Sequence, residues 1–209
     1  MTILFFAKIL AVGAALATVG CAEAPVAAAA AAIVPAGSAT AIFAGGCFWC
    51  IENDFEKLPG VIEVESGYTA GRTPNPSYEQ VSAGGTGHAE AVRVIYDPQK
   101  LSYAQLVDYF WRHIDPTVKD RQFCDVGTQY RSGIYWQNET ERKTAEASRD
   151  ALLKSGKIKT IHTELAQATT FWLAETYHQD YYKKNPIRYN YYRKACGRDA
   201  RVEEVWAGK

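Results

Sequence analysis

The sequence predicts an α+β fold built as a two-layer sandwich on a mixed β-sheet. Three observations predict it. Segments of strand period and of helix period interleave from Ala39 onward, without the strict strand–helix–strand repeat of an all-parallel sheet. A long loop rich in glycine and proline, not a helix, joins two of the strands. The chain shows no internal repeat, and its 209 residues suffice for one domain with a full core plus an extra segment.

The elements follow in order. Ala39–Ala44 is a short apolar run and reads as the first strand. Phe48, Ile51, Phe55 and Leu58 trace one helical face, and Pro59-Gly60 stops that helix. Val61–Tyr68 alternates and gives the second strand. Gly71 to Gly87 holds Pro74, Pro76, Gly84 and Gly85, so it is a loop with one helical turn, of a length that is often functional. Glu90–Tyr96 alternates cleanly and ends at Asp97-Pro98. Ser102 with Gln105 forms a capping box, after which Leu106, Val107, Phe110 and Ile114 make an apolar stripe that Asp115-Pro116 ends. A polar loop, a short strand Ser132–Trp136, a helix from Asn138 to Lys154 and a strand Thr160–Glu164 follow. From Tyr177 the pattern becomes an irregular, tyrosine-rich C-terminal tail containing Pro186 and Gly197.

The N-terminus is distinct. Residues 1–24 read as a signal peptide, with Lys8 inside an apolar run too short for a convincing membrane span. Thr18-Val19-Gly20 before Cys21 is similar to a bacterial lipoprotein cleavage site ending at residue 20, and Ala22-Glu23-Ala24 offers a second site. Export follows as an expectation: a periplasmic protein, or a membrane-anchored lipoprotein held through Cys21. Residues 25–38 form an Ala/Pro-rich linker, and 39–209 the remaining domain. Net charge is zero, which gives no argument for nucleic acid as a partner.

The segment Gly45-Gly46-Cys47-Phe48-Trp49-Cys50 lies at a strand-to-helix junction. Free N–H groups and the helix dipole at such a junction favour a thiolate, and two glycines let the chain turn and leave the sulfur uncovered. Cys47 is thereby a candidate nucleophile. Of the other cysteines, Cys50, Cys124 and Cys196 could form structural disulfides with it in an exported chain. A zinc site lacks a second pair at metal spacing. A CxxC redox pair, Cys47 with Cys50, remains an alternative that would make the protein a general thiol-disulfide oxidoreductase.

Gly46-Cys47-Phe48-Trp49-Cys50 resembles the signature of methionine sulfoxide reductase A. Asn75-Pro76-Ser77-Tyr78, Gly87-His88-Ala89-Glu90-Ala91-Val92, the run from Asp125 to Ser132, and Tyr177-His178-Gln179-Asp180-Tyr181 resemble further blocks of that family, in order. The resemblance runs from about Ala41 to Trp206. It implies a ferredoxin-like core and reduction of the S epimer of methionine sulfoxide in oxidised proteins or peptides. It implies Cys47 as nucleophile, Glu90 as proton donor, and Tyr78, Tyr130 and Asp125 at the sulfoxide oxygen. Phe48 and Trp49 would form the pocket for the terminal methyl. It implies thioredoxin, or an exported thioredoxin-like reductant, as electron source, and neither metal nor cofactor. Attack would leave Cys47 as a sulfenic acid that a second thiol must resolve. Cys196 in the tail is favoured, with Cys50 the alternative. Cys50 stands where many relatives carry glycine. Cys124 reads as a bystander, His88 carries no catalytic assignment, and Gln129 and Arg131 read as scaffold.

Overall fold

A computed structural model of the chain describes residues 34–207. The signal-peptide and lipoprotein readings, Cys21, and most of the linker lie outside the described residues. The elements are β1 (Ala39–Gly45), α1 (Phe48–Glu56), β2 (Val61–Thr69), α2 (Tyr78–Ser82), β3 (Ala89–Tyr96), α3 (Tyr103–Trp111), β4 (Arg121–Gln122), β5 (Asp125–Val126), β6 (Ser132–Trp136), α4 (Glu139–Lys154), β7 (Glu164–Gln167), β8 (Trp172–Leu173), α5 (Tyr181–Lys184), α6 (Pro186–Ala195) and α7 (Arg198–Trp206).

The main sheet has the order β7-β6-β1-β3-β2-β8. Its central part, β6-β1-β3-β2, is antiparallel throughout. With α1 between β1 and β2, and α3 between β3 and β6, this is the ferredoxin-like arrangement. The sheet becomes mixed at one edge, where β7 pairs with β6 in parallel, Gly133 opposite Glu164 and Trp136 opposite Gln167. A separate hairpin joins β4 to β5.

The helices α1, α3 and α4 cover one face. Phe43 of β1 stacks between Phe55 of α1 and Phe110 of α3, with ring centroids 5.0 Å from each. Such aromatic pairs add packing energy beyond their buried area. The other face is lined by smaller residues, Ile42, Ala44, Ala89 and Ala91, against Ala166, Ala168 and Phe171. No helix among the described residues is long and apolar enough to cross a membrane.

Local signals place the helices well. Ser102 and Gln105 make both hydrogen bonds of the capping box on α3, Asn138 accepts from Glu141 N at the start of α4, and α4 ends at Lys154. The helical turn in the Gly/Pro loop is α2, opened by its own capping box of Ser77 and Gln80. Two expectations need correction. The strand expected at Thr160–Glu164 lies at Glu164–Gln167, because pairing with β6 selects its register. The tail after Tyr177 is less irregular than its sequence reads. It contains α5, α6 and α7, with Pro186 at the first turn of α6 and Gly197, at φ 69°, separating α6 from α7.

Candidate active site

Cys47 sits at the N-cap of α1, directly after the β1 turn. The turn demands both glycines. A Cβ on Gly45 would collide with the Ile51 side chain, and Gly46 has φ 82° with a Cβ position 2.6 Å from Gln122 Cβ. Gln122 cannot retreat easily. It is buried and ties down Asp115, accepting from its N–H at 2.9 Å and donating to its carbonyl at 2.7 Å.

A small cavity of about 80 Å³ opens at this junction, lined by Cys47, Phe48, Trp49, Tyr78, Glu90, Asp125, Tyr130 and Tyr192. Every residue named above for attack, proton donation and methyl binding reaches it. Glu90 enters from the start of β3, Tyr78 from α2, Asp125 from the β4–β5 hairpin and Tyr130 from the short 3₁₀ turn Thr128–Tyr130. Glu90 is 2% exposed and accepts a 3.0 Å hydrogen bond from Phe48 N–H. Burial dominates over that bond and pushes its pKa up to about 8.

The Cys47 thiol departs from the sequence expectation. It is 6% exposed, and its pKa is raised, first by burial and then by Cys50, Glu90 and Asp125. At the helix N-terminus Phe48 N–H is engaged by Glu90, and the N–H groups of Cys50 and Ile51 by the Cys47 carbonyl. Cys50 is shifted the other way. Its hydrogen bond with Cys47 lowers its pKa, and Arg198 and Arg193 reinforce the shift against burial.

The tyrosines remain un-ionised donors. Tyr78 is pushed up to about 12 and Tyr130 is raised further, both chiefly by burial. Trp49 is fixed from two sides. Its ring stacks on Tyr181 at 3.7 Å, and its Nε1–H donates to His178 Nδ1 at 2.9 Å. That bond places the His178 proton on Nε2, and burial lowers its pKa to about 4, so the imidazole is neutral. Glu175 joins two walls, accepting from Tyr68 Oη at 2.9 Å and from Tyr78 N–H at 2.7 Å.

Tyr192 was not singled out by the sequence. It lines the cavity from α6 and donates its hydroxyl to Asp125 Oδ2 at 2.5 Å. Its only signal in the sequence was membership in the tyrosine-rich tail. His88 contacts a loop carbonyl, with Nε2 2.7 Å from Thr73 O. Gln129 donates to Ser82 O, and Arg131 bridges Glu164, Thr128 O and Gly87 O, which are scaffold contacts.

The cysteine pairing also needs correction. Cys124 is joined to Cys196 by a disulfide across 72 residues, while Cys47 and Cys50 are free and buried. Cys124 is therefore no bystander, and Cys196 is not a free thiol in this state. The fold brings the hairpin turn and the end of α6 together, a juxtaposition that residue spacing does not encode. No cation is needed to explain the cluster of Cys124, Asp125 and Cys196, since the disulfide and Tyr192 engage it.

The family model described as peptide methionine sulfoxide reductase matches residues 39–209. A peptide methionine sulfoxide reductase MsrA 2 of Caulobacter vibrioides is 50% identical over 169 residues, covering 81% of this chain and 86% of the relative. An MsrA of Bacillus pumilus is 49% identical over 170 residues, covering 81% and 96%. Among solved structures, Mxr1 of Saccharomyces cerevisiae in reduced form superposes with a TM-score of 0.68 at 32% identity, over 73% of this chain and 88% of that one. Methionine sulfoxide reductase A of Corynebacterium diphtheriae gives 0.66 at 35% identity, over 73% and 77%. The chain belongs to the peptide methionine sulfoxide reductase family, in its MsrA branch.

Proposed function

We propose that this methionine sulfoxide reductase acts on the S epimer, free or within oxidised polypeptides, with Cys47 as nucleophile and Glu90 as acid. The observation that carries the assignment is the shared cavity, in which a thiol, a protonated carboxyl and two neutral phenols face one small space. Cys47 gives up its proton as it engages the substrate. Its sulfur attacks the sulfoxide sulfur while Glu90 protonates the oxygen. Tyr78 and Tyr130 donate hydrogen bonds to that oxygen, where negative charge builds. The S–O bond breaks and the protonated oxygen leaves as water; a water then attacks the Cys47 sulfur, the bond between Cys47 and the substrate sulfur breaks, methionine leaves, and Cys47 is left as a sulfenic acid. Phe48 and the clamped Trp49 form the apolar wall for the methyl group. Asp125, held by Tyr192, shapes the polar side.

Cys50 is the free thiol in contact with Cys47, and it takes the resolving role ahead of Cys196, which is engaged with Cys124. Condensation releases water and gives a Cys47–Cys50 disulfide. Both cysteines at the first turn of a helix is a geometry that redox CxxC pairs use. Thioredoxin or a thioredoxin-like protein then restores the thiols. The apolar stretch of residues 1–20 supports action outside the cytoplasm with an exported reductant, and Cys21 supports a lipid anchor. Globomycin sensitivity of processing tests both.

Turnover on resolved S and R epimers, with dithiothreitol as reductant, tests the assignment. Methionine from the S epimer alone is expected; equal use of both sinks it. Insulin reduction without any sulfoxide turnover would instead favour a general disulfide oxidoreductase.

A further inference from the structure

We infer that Glu52, Glu56 and Asp180 form a calcium-selective site outside the catalytic cavity, at a place now half filled by the Lys183 ammonium. Helix spacing begins it. Glu52 and Glu56 stand four residues apart on α1, so both carboxylates leave the same face. Asp180, the N-cap of α5, closes on them, and its N–H donates to Glu52 Oε1 at 3.0 Å. A carboxylate oxygen from each of the three lies within 4.8 Å of the others. Calcium binds oxygens at about 2.3–2.6 Å, so ligands on opposite sides of one ion stand about 5 Å apart. Magnesium, at about 2.1 Å, would need them drawn within about 4.2 Å and gives up its own waters reluctantly. None of the three residues lines the catalytic cavity.

Glu52 supplies the second, independent observation. It is 0% exposed, its Oε1 takes one N–H, and its Oε2 is buried with no hydrogen-bond partner among the described residues. Buried carboxyl oxygens are ordinarily paired with donors or with a metal ion. Here the orphaned oxygen belongs to the one ligand that has no ion pair among the described residues. Lys183 serves only the other two, with Nζ 2.6 Å from Glu56 Oε2 and 2.7 Å from Asp180 Oδ1, while Tyr182 also donates to Glu56. A single ammonium therefore faces three carboxyl groups and leaves the innermost one uncompensated.

An ion can reach the site and displace the lysine. A cavity of about 600 Å³ is walled by Glu56, Asp180 and Lys183, with Glu63 adding a further carboxylate that concentrates cations there. The Lys183 side chain is 52% exposed on a flexible four-carbon stem, so it can swing into solvent, and ion pairs this open contribute little to stability. A divalent cation takes its place between Glu56 and Asp180 and adds Glu52, with water completing the shell. The ion then ties α1 to the start of α5. Tyr181 follows Asp180 directly and stacks on Trp49 at 3.7 Å, so the same tie braces one wall of the catalytic cavity.

The test titrates the full chain, stripped with a chelator, with calcium chloride in a calorimeter. Binding of about one ion per chain with Kd of about 10⁻⁴ M is expected, and magnesium chloride should bind at least about tenfold more weakly. Calcium at about 100 times that Kd should raise the melting temperature by about 5 °C. No calorimetric binding, an equal response to magnesium, or the same thermal shift from potassium chloride at matched ionic strength overturns the site. Glu52→Gln keeps the side chain's size and an acceptor for Asp180 N–H, and should weaken calcium binding at least about tenfold. Lys183→Met removes the competing ammonium and should tighten it by about tenfold, an effect that a merely structural ion pair would not produce. Wild-type affinity in Glu52→Gln, or unchanged or weaker binding in Lys183→Met, overturns the inference. Should Glu52→Gln fail to fold, the exposed Lys183→Met change decides it alone.

Discussion

Replacing Glu90 by glutamine should make the protein more resistant to urea as pH rises, even as it removes activity. Glu90 is fully buried, and its pKa is pushed up to about 8 from an ordinary 4.5. The folded state therefore keeps a proton that the unfolded chain releases. The sign follows from linkage: the carboxyl's contribution is fully present below about pH 4.5 and is lost progressively until about pH 8. Each pH unit in that window costs the wild type about 1.4 kcal/mol relative to a non-titrating variant. Between about pH 5.5 and 7.5, two units at that rate give a relative change of about 3 kcal/mol. Glutamine retains an acceptor for Phe48 N–H, so the constant part of the substitution cancels in the comparison. Equilibrium urea unfolding of both proteins across that range, followed by tryptophan fluorescence, measures the change. Parallel stability curves would refute the account, since they would mean that Glu90 titrates at the same pH folded and unfolded.

Activity should carry the same signature. The slope of log kcat/KM against pH should drop by one through about pH 8 in the wild type and not in Glu90→Gln, whose rate falls by a factor of about 10²–10⁴. Cys47→Ser should form no methionine even in one turnover; product above background removes it as the attacking group. Arg198 is buried, donates to Gly45 O at 3.1 Å and His113 O at 2.9 Å, and lies 3.5 Å from Asp54. Arg198→Met should cost about 3–5 kcal/mol in urea titrations by stranding part of that network. Gly46→Ala forces a positive φ on alanine and a methyl into Gln122, and should lower the melting temperature at a cost of about 1–3 kcal/mol. An unchanged melting temperature would mean that the turn relaxes at no cost.

Much of the fold was written locally. The strand and helix periods, the capping box at Ser102 and the Asn138 cap act over a few residues, so the elements they mark could be read where they stand. The spaced blocks likewise named Cys47, Glu90, Tyr78, Asp125 and Tyr130, and the fold puts them around one cavity. Tertiary structure alone decided the rest. The register of β7 came from parallel pairing with β6, and the tail became helical where Trp49 stacks on Tyr181 and Arg193 meets Asp54 at 2.9 Å. The union of Cys124 with Cys196, the arrival of Tyr192 at Asp125, and the opposed shifts of Cys47 and Cys50 all depend on residues far apart in the chain. A sequence encodes which thiols exist and which turn holds them. Burial and the charges facing each sulfur exist only once distant segments have closed around it, and those set the order in which protons and electrons move.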